Sequence, residues 1–86
     1  MHEKILELGV GDQFKLTLAD GSTVSSVVSD VDQTPNFYEL GVDSEDGSRY
    51  ILGVDRDGPP TVVFDEWDSD QEAWKTAETP ESINIP

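Results

Sequence analysis

Apolar and polar residues alternate along most of this chain of 86 residues, as they do in half-buried β-strands. The alternation occurs in five runs, at residues 13–18, 23–31, 37–43, 48–54 and 61–65. In the third run, for example, Tyr38, Leu40 and Val42 alternate with Glu39 and Gly41. Several short strands spaced by about ten residues, with no long helical pattern, are typical of a small β-barrel or sandwich.

Asp-Gly pairs separate these runs, at residues 20–21, 46–47 and 57–58. An Asp-Gly pair between alternating runs predicts a hairpin, because glycine accepts the positive φ that tight turns require. The second run changes phase, since Val24 and Val28 share one parity whereas Val27 and Val31 share the other. This phase change predicts a β-bulge or sharp bend in the second strand.

The two ends of the chain are less regular. The run Leu6, Leu8 and Val10 predicts a further short strand or an irregular lead-in. Near the other end, Ile83 and Ile85 alternate and predict a closing edge strand. Pro80 and Pro86 bracket that strand and would prevent further pairing at its edge.

Residues 70–77 fit two structures. Ser69 followed by Glu72 matches a helix capping box, and Trp67, Trp74 and Ala77 have helical spacing, so we expect a short helix or turn. The alternative is a hairpin that turns at 69–71 and places Trp74 on the returning strand.

The predicted fold is therefore all-β: a small, strongly bent antiparallel barrel of five to six strands, with a short C-terminal helix or turn. The 86 residues suffice for a single domain, with the barrel at about 6–66 and an acidic C-terminal extension at about 67–86.

The charge balance indicates the kind of solvent to which the protein is adapted. Nineteen acidic residues against five basic ones give a formal net charge of -14, and mean hydropathy is only -0.46. Such values also occur in disordered chains, but the patterned apolar positions and seven aromatic residues (two Trp, two Tyr, three Phe) favour folding. Because molar salt shortens the Debye length to about 3 Å and screens repulsion between carboxylates, the evenly spread acids predict adaptation to concentrated salt.

Composition also excludes several classes of protein. The chain has no cysteine, which removes disulfides, thiolate zinc sites and a cysteine nucleophile. No apolar run approaches the roughly 20 residues that span a bilayer, and the N-terminus does not resemble a secretory signal. We therefore expect a cytoplasmic protein without membrane association.

Catalytic and cofactor motifs are missing from the sequence. The only histidine is His2, next to a terminus where we expect it to be a solvent-exposed bystander. The acidic cluster at 68–72 has Ala73 where a calcium loop needs glycine. No glycine-rich phosphate loop precedes a helix. We expect no enzymatic activity, no metal and no cofactor.

The aromatic residues fall into two groups. Tyr38, Tyr50 and Phe64 are in phase with the aliphatic positions and are predicted to be core. Trp67 and Trp74 are flanked by acids and fit either the core, a lid over the open end of the barrel, or an interaction surface, for which tryptophan is a favoured anchor.

One stretch carries a family resemblance. Leu16 and Leu18 lead into Gly21, valines follow at 24, 28 and 31, and the next loop contains Asp32 and, four residues later, Asn36. Residues 16–37 thus resemble the first motif of the Sm/LSm RNA-binding family, in which the corresponding Asp and Asn belong to a uridine-binding pocket. The resemblance implies a strongly bent barrel and makes Asp32 and Asn36 candidate RNA contacts.

The chain also departs from that family. Ser26 stands where the first motif has glycine, and Pro35 replaces an apolar loop residue. Residues 51–53 read Ile-Leu-Gly, without the arginine that stacks on the base in the second Sm motif. An Asp-Gly turn between such strands also occurs in SH3-like barrels with unrelated functions.

Together these observations predict a non-enzymatic interaction module or accessory protein of a salt-adapted cell, with another protein as its partner. One alternative is an Sm-like oligomer that binds U-rich single-stranded RNA through Asp32 and Asn36. Another is an anionic nucleic-acid mimic that binds a basic protein. The candidate contact residues are Asp32, Asn36, Trp67 and Trp74.

Overall fold

A computed structural model describes residues 2–55 and 62–86, which form one short helix and seven strands in a single curled sheet. The elements are α1 (His2–Leu6), β1 (Gln13–Leu18), β2 (Thr23–Gln33), β3 (Phe37–Ser44), β4 (Arg49–Asp55), β5 (Val62–Asp68), β6 (Ala73–Thr76) and β7 (Pro80–Asn84). The strand order is β6-β5-β4-β3-β2-β1-β7, and every neighbouring pair is antiparallel. The sheet is a half-barrel.

The barrel-like all-β class is confirmed, and the alternating runs correspond to β1–β5. The predicted count of five to six strands is wrong, because β6 and β7 both form in the C-terminal segment 67–86. These two strands pair with opposite sides of the sheet, β6 with β5 and β7 with β1.

Two of the predicted Asp-Gly turns form the tips of hairpins. At the β1–β2 turn, the Leu18 N–H donates to the Ser22 carbonyl at 2.8 Å, and Gly21 has φ of 88°. At the β3–β4 turn, the Ser44 N–H donates to the Ser48 carbonyl at 2.9 Å, and Gly47 has φ of 90°. The third pair, at 57–58, lies outside the described residues.

The predicted irregularity in β2 is confirmed as a bulge. Val28 pairs with Val42, whereas the next paired residue is Asp30, opposite Gly41. Ser29 is therefore the extra residue, and the bulge shifts Val31 onto the core side, where it packs against the buried cluster. A bulge bends the strand and increases its twist, which allows this sheet to curl.

The core lies on the concave face of the sheet. It contains fourteen buried apolar residues: Ile5, Leu8, Phe14, Leu16, Leu18, Val28, Tyr38, Leu40, Val42, Tyr50, Leu52, Val54, Phe64 and Ile83. The predicted core aromatics Tyr38, Tyr50 and Phe64 are all among them. Tyr50 stacks on Phe64 with ring centroids 4.7 Å apart, and the Tyr38 hydroxyl donates to the Leu8 carbonyl.

The N-terminal segment is not a strand. Residues 2–6 form α1, which packs near β4 and buries Ile5, while Leu8 is buried just beyond it and Val10 is 68% exposed. The strand alternative is therefore wrong. The physical reason is that Ile5 and Leu8, three residues apart, both reach the core from a helical turn, which an alternating strand does not permit.

Residues 70–77 do not form a helix, so the favoured prediction is wrong and the hairpin alternative is correct. Residues 69–72 form a turn, and β6 returns along β5. Asp68 organises this turn, because its Oδ1 accepts hydrogen bonds from the backbone N–H groups of Asp70 and Gln71. Glu72 then takes a positive φ of 50°, which reverses the chain where a helix would continue.

The segment after β6 crosses from one side of the sheet to the other. The Ala77 N–H donates to the Phe64 carbonyl in β5, and the Ala19 N–H at the end of β1 donates to the Thr79 carbonyl. The chain then enters β7, where Ile83 is buried opposite Leu16, so the predicted closing edge strand is confirmed. In the described part of the chain, no helix is long and apolar enough to cross a membrane.

Candidate functional site

The convex face of the sheet carries the polar positions that alternate with the core. Strand pairing places Asp32 in β2 directly opposite Glu39 in β3, and Asp30 opposite Gly41. Further along β3 and β4, Asp43 lies opposite Arg49, and Gly41 lies opposite Ile51. Carboxylates of neighbouring strands are thereby brought together, although they are distant in the sequence.

These residues surround a shallow cavity of about 320 Å³, which we call the acidic groove. Its lining residues are Ser29, Asp30, Asp32, Glu39, Gly41, Val42, Asp43, Arg49, Tyr50, Ile51 and Trp74. Gly41 helps to keep its floor low, because a Cβ at this position would lie 3.2 Å from the Cβ of Asp30. The groove thus combines acidic side chains with two apolar ones from outside the buried core, Ile51 and Trp74.

The groove has an uncompensated negative charge. Four carboxylates line it, at Asp30, Asp32, Glu39 and Asp43, against the single guanidinium of Arg49. The Arg49 Nε lies 3.8 Å from Asp43 Oδ1, in a solvent-exposed ion pair. Like charges directly opposite in a sheet are destabilising, so the Asp32–Glu39 arrangement is unfavourable for folding by itself.

Trp74 forms one end of the groove. It lies on β6 opposite Trp67 on β5, and the two rings meet edge to face, with centroids 5.2 Å apart and an interplanar angle of 62°. Trp67 is half-buried, whereas Trp74 is 42% exposed. Neither ring belongs to the buried core cluster. Trp67 therefore supports an indole that presents much of its surface to solvent.

The four predicted contact residues are only partly brought together. Asp32 and Trp74 both line the acidic groove, and Trp67 contacts Trp74 from the adjacent strand. Asn36 is exposed in the β2–β3 turn and does not line the groove. That turn is closed by Thr34, whose hydroxyl accepts a hydrogen bond from the Phe37 N–H at 3.0 Å.

Sequence reasoning missed Asp30, whose outward position depends on the bulge in β2. It also missed Glu39, Gly41, Asp43, Arg49 and Ile51, although the alternation places these five opposite to the core positions and marks them as outward-facing. That signal does not distinguish them from the other outward-facing residues, because only the register across β2, β3 and β4 shows which ones are neighbours.

A second cavity, of about 420 Å³, lies where the ends of β1, β2 and β3 meet the C-terminal residues. Its charged lining residues are Lys15, Asp43 and Glu45, so its charge is more nearly balanced than that of the acidic groove. Its one aromatic lining residue, Phe14, is buried in the core. It therefore offers neither the acidity nor the exposed indole of the groove.

Ser26, which differs from the Sm motif, lies on the core side of β2 opposite Phe14. Its buried Oγ has no hydrogen-bond partner among residues 2–55 and 62–86. Within the same residues, no group of three or more histidine and carboxylate side chains is arranged as metal ligands would be.

Comparisons with protein-family models, curated proteins and solved structures found no match to this chain.

Proposed function

We propose that this protein is a non-enzymatic interaction module whose acidic groove binds a basic segment of a partner protein. The observation that carries this proposal is the convergence of four carboxylates and a half-exposed tryptophan on one groove. Negative potential concentrated in a cleft accelerates encounter with a cationic partner. An exposed indole on a supporting residue is a favoured anchor in protein interfaces.

The groove already holds one cationic side chain of its own. Arg49 pairs with Asp43, its Nε 3.8 Å from Asp43 Oδ1, and lines the same groove as Trp74. A guanidinium or ammonium group of a partner would find similar surroundings beside Asp30, Asp32 and Glu39. A cation over an indole face adds about 0.5–2 kcal/mol, depending on how far it is desolvated.

The same groove is suited to binding in concentrated salt. At molar salt, charges separated by more than about 3 Å are screened, so affinity must come from direct contact. Trp74 and Ile51 supply apolar contact area, and the carboxylates supply short-range hydrogen bonds. The charge of -14 is then chiefly an adaptation to the solvent, and the groove provides the specificity.

This proposal is favoured over the two alternatives. Asp32, one of the two residues suggested by the Sm-like motif, lies opposite another carboxylate, and such a surface repels a phosphate backbone. A nucleic-acid mimic needs its acids on one face, whereas acids here also occupy α1, the hairpin turns and β7.

The proposal is tested with a heptapeptide of alternating lysine and valine, titrated while tryptophan fluorescence is recorded. Binding is expected for this peptide but not for the matched glutamate–valine peptide or for oligo-U RNA. Trp74→Ala is expected to reduce affinity about 30-fold, as for an interface anchor worth about 2 kcal/mol, with binding followed by calorimetry in that variant.

Matched charge variants locate the site. Asp32→Asn with Glu39→Gln removes two groove carboxylates, whereas Asp20→Asn with Glu81→Gln removes two exposed carboxylates outside the groove. The first pair is expected to weaken peptide binding markedly more than the second. Equal effects of both pairs, or tighter binding of oligo-U than of the lysine peptide, would contradict the proposal.

A further inference from the structure

The two edges of the sheet differ in how they are protected. The β7 edge begins at Pro80, is followed by Pro86, and has its Ile83 carbonyl near the Lys4 ammonium at 3.5 Å. Proline and lysine at an edge both oppose pairing with another chain. The β6 edge, Ala73–Thr76, contains no proline, and its one charged residue, Lys75, is held by Asp68 at 2.8 Å.

The hydrogen-bond phase shows which backbone groups of β6 point outward. The Ala77 N–H donates to the Phe64 carbonyl, and the same register continues through Thr76 opposite Asp65 to Trp74 opposite Trp67. In an antiparallel pair, hydrogen-bonded and non-hydrogen-bonded positions alternate. The N–H and C=O groups of Trp74 and Thr76 therefore point away from β5.

Those groups form an open edge. Within residues 2–55 and 62–86, β5 is the only strand paired with β6. All four residues of β6 are exposed. An exposed edge of this kind is a template for an added strand, in which main-chain hydrogen bonds supply affinity and side-chain contacts supply specificity.

The open edge is continuous with the acidic groove through one residue. Trp74 lines the groove with its side chain and offers its backbone N–H and C=O at the edge. A segment that lies along β6 therefore contacts Trp74 directly and directs alternate side chains toward the convex face, where the groove lies.

The negative charge around β6 favours a basic polypeptide as the strand that is added at its open edge. Glu72 and Glu78 flank the strand, Asp70 lies in the adjoining turn, and Asp68 is the last residue of β5. A second copy of this chain would bring a further charge of -14 against the same acids, so self-pairing is disfavoured. A lysine- or arginine-bearing extended segment matches both the backbone edge and the surrounding carboxylates.

We propose that the partner's basic segment binds as an additional β-strand along β6, with alternate side chains directed toward the acidic groove. This inference rests on the proposed function and specifies its recognition mode: the ligand is an extended, cationic polypeptide that supplies backbone hydrogen bonds. The hydrogen bonds are made to Trp74 and Thr76.

The test uses Thr76→Pro, which removes one outward N–H without changing a groove side chain. Proline is tolerated at edge positions whose N–H faces solvent. The matched control is Thr76→Val, which retains the N–H and loses only the hydroxyl. With the lysine–valine heptapeptide, Thr76→Pro is expected to lower affinity at least tenfold, and Thr76→Val less than twofold.

A second measurement leaves the protein unchanged. The same heptapeptide N-methylated at three consecutive central residues keeps its charge but loses hydrogen-bonding groups on both edges. We expect its affinity for the wild-type chain to fall at least tenfold. Binding of the unmodified peptide is expected to slow amide hydrogen exchange at Trp74 and Thr76. This measurement decides the question even if Thr76→Pro does not fold.

The outcomes separate the two proposals. Undiminished binding of the N-methylated peptide, with its affinity still reduced by Trp74→Ala, would overturn strand addition and leave the groove proposal intact. Failure of the unmodified peptide to bind would overturn the proposed function itself. A concentration-dependent dimer that disappears in Thr76→Pro would show that a second copy occupies the edge, and would overturn the basic partner.

Discussion

The β3–β4 and β5–β6 hairpins are both antiparallel pairs of consecutive strands, but they are stabilised by different means. Along β3 and β4, Tyr38, Leu40, Val42, Leu52 and Val54 are buried between strands on both sides. In the β5–β6 hairpin, every residue of β6 is exposed, and among the described residues β5 is its only neighbouring strand. The first hairpin is the centre of the core, and the second is attached at its edge.

The two turns differ in the same way. Gly47 provides the positive φ of the β3–β4 turn without steric cost, whereas Glu72 takes a positive φ at the β5–β6 turn. A two-stranded hairpin is marginally stable on its own, so β6 depends on the Trp67–Trp74 contact and the Lys75–Asp68 ion pair. The hairpin with the weaker structural role is thus the one whose outer strand lacks a second neighbour within residues 2–55 and 62–86.

The largest expected difference between the hairpins comes from truncating one apolar side chain in each. Leu52→Ala removes a side chain with 0% exposure and should lower the free energy of unfolding by about 2–5 kcal/mol. Trp74→Ala removes an exposed edge-to-face contact, worth about 0.5–1.5 kcal/mol. Urea denaturation measures both. Equal losses would show that β6 is as essential to the fold as β4.

Salt should change the free energy of unfolding of the whole protein. The expected change is smaller than the effect of Leu52→Ala and larger than that of Trp74→Ala. The repulsion among carboxylates is screened as KCl rises, so the free energy of unfolding should increase between dilute buffer and molar KCl. Circular dichroism during urea denaturation at several KCl concentrations measures this. Loss of structure on addition of KCl would contradict adaptation to salt.

Substitution at Gly47 tests the turn of the central hairpin. Gly47→Ala places a Cβ at a backbone φ of 90° and should cost about 1–2 kcal/mol. Gly9→Ala serves as a control for the loss of glycine, because Gly9 has no positive φ. Thermal unfolding measures both variants, and an equal effect would indicate that backbone strain is not the cause.

A smaller effect of opposite sign is expected at the β5–β6 turn. Glu72→Gly relieves the positive φ of 50° and should stabilise the protein by about 0.5 kcal/mol, after the entropic cost of glycine is subtracted. Glu78→Gly changes the same charge outside this turn and should not stabilise. Stabilisation by both variants would assign the gain to charge removal.

The smallest expected effect is a pH dependence that distinguishes the two turns. Hydrogen bonds from the Ser44 hydroxyl and the Ser48 backbone lower the pKa of Asp46 from its ordinary value of 3.8. Hydrogen bonds from Lys75 and the Gln71 backbone lower the pKa of Asp68 from the same value. A lowered folded-state pKa contributes stability above the ordinary pKa, which is lost as pH falls through the folded value.

Lys75→Met should therefore raise the pKa of Asp68 toward its ordinary value and leave that of Asp46 unchanged. NMR titration of the two carboxylates measures both. In this variant, the contribution of Asp68 to stability at neutral pH should also diminish. An unchanged Asp68 pKa would show that backbone hydrogen bonds alone maintain it.

Much of the central sheet was predictable because its signals are local. Strands β1 to β5 follow from alternation, and the two described Asp-Gly turns follow from the backbone freedom of glycine. The change of parity between Val24 and Val31 predicted a bulge or bend in β2, and the register places it at Ser29. Each of these features depends on residues within one strand or turn.

The short elements were not predictable in this way. Ser69 and Glu72 match a capping box, yet Asp68 caps a turn and Glu72 reverses the chain. Four exposed residues of β6 carry little burial signal, and their structure depends on contacts with β5, above all Trp67 with Trp74. The structure of α1 likewise depends on distant contacts, because its Ile5 packs in the buried core.

The sequence distinguishes the inward from the outward residues of the main strands, because side chains alternate with a period of two. It also placed the acids chiefly outward. It is the folded sheet that places Asp32 opposite Glu39, leaves a groove at Gly41 between them and Ile51, and brings Trp74 to one end of that groove. The physical reason is that register and edge pairing depend on strands distant in sequence, whereas alternation and turn preference do not.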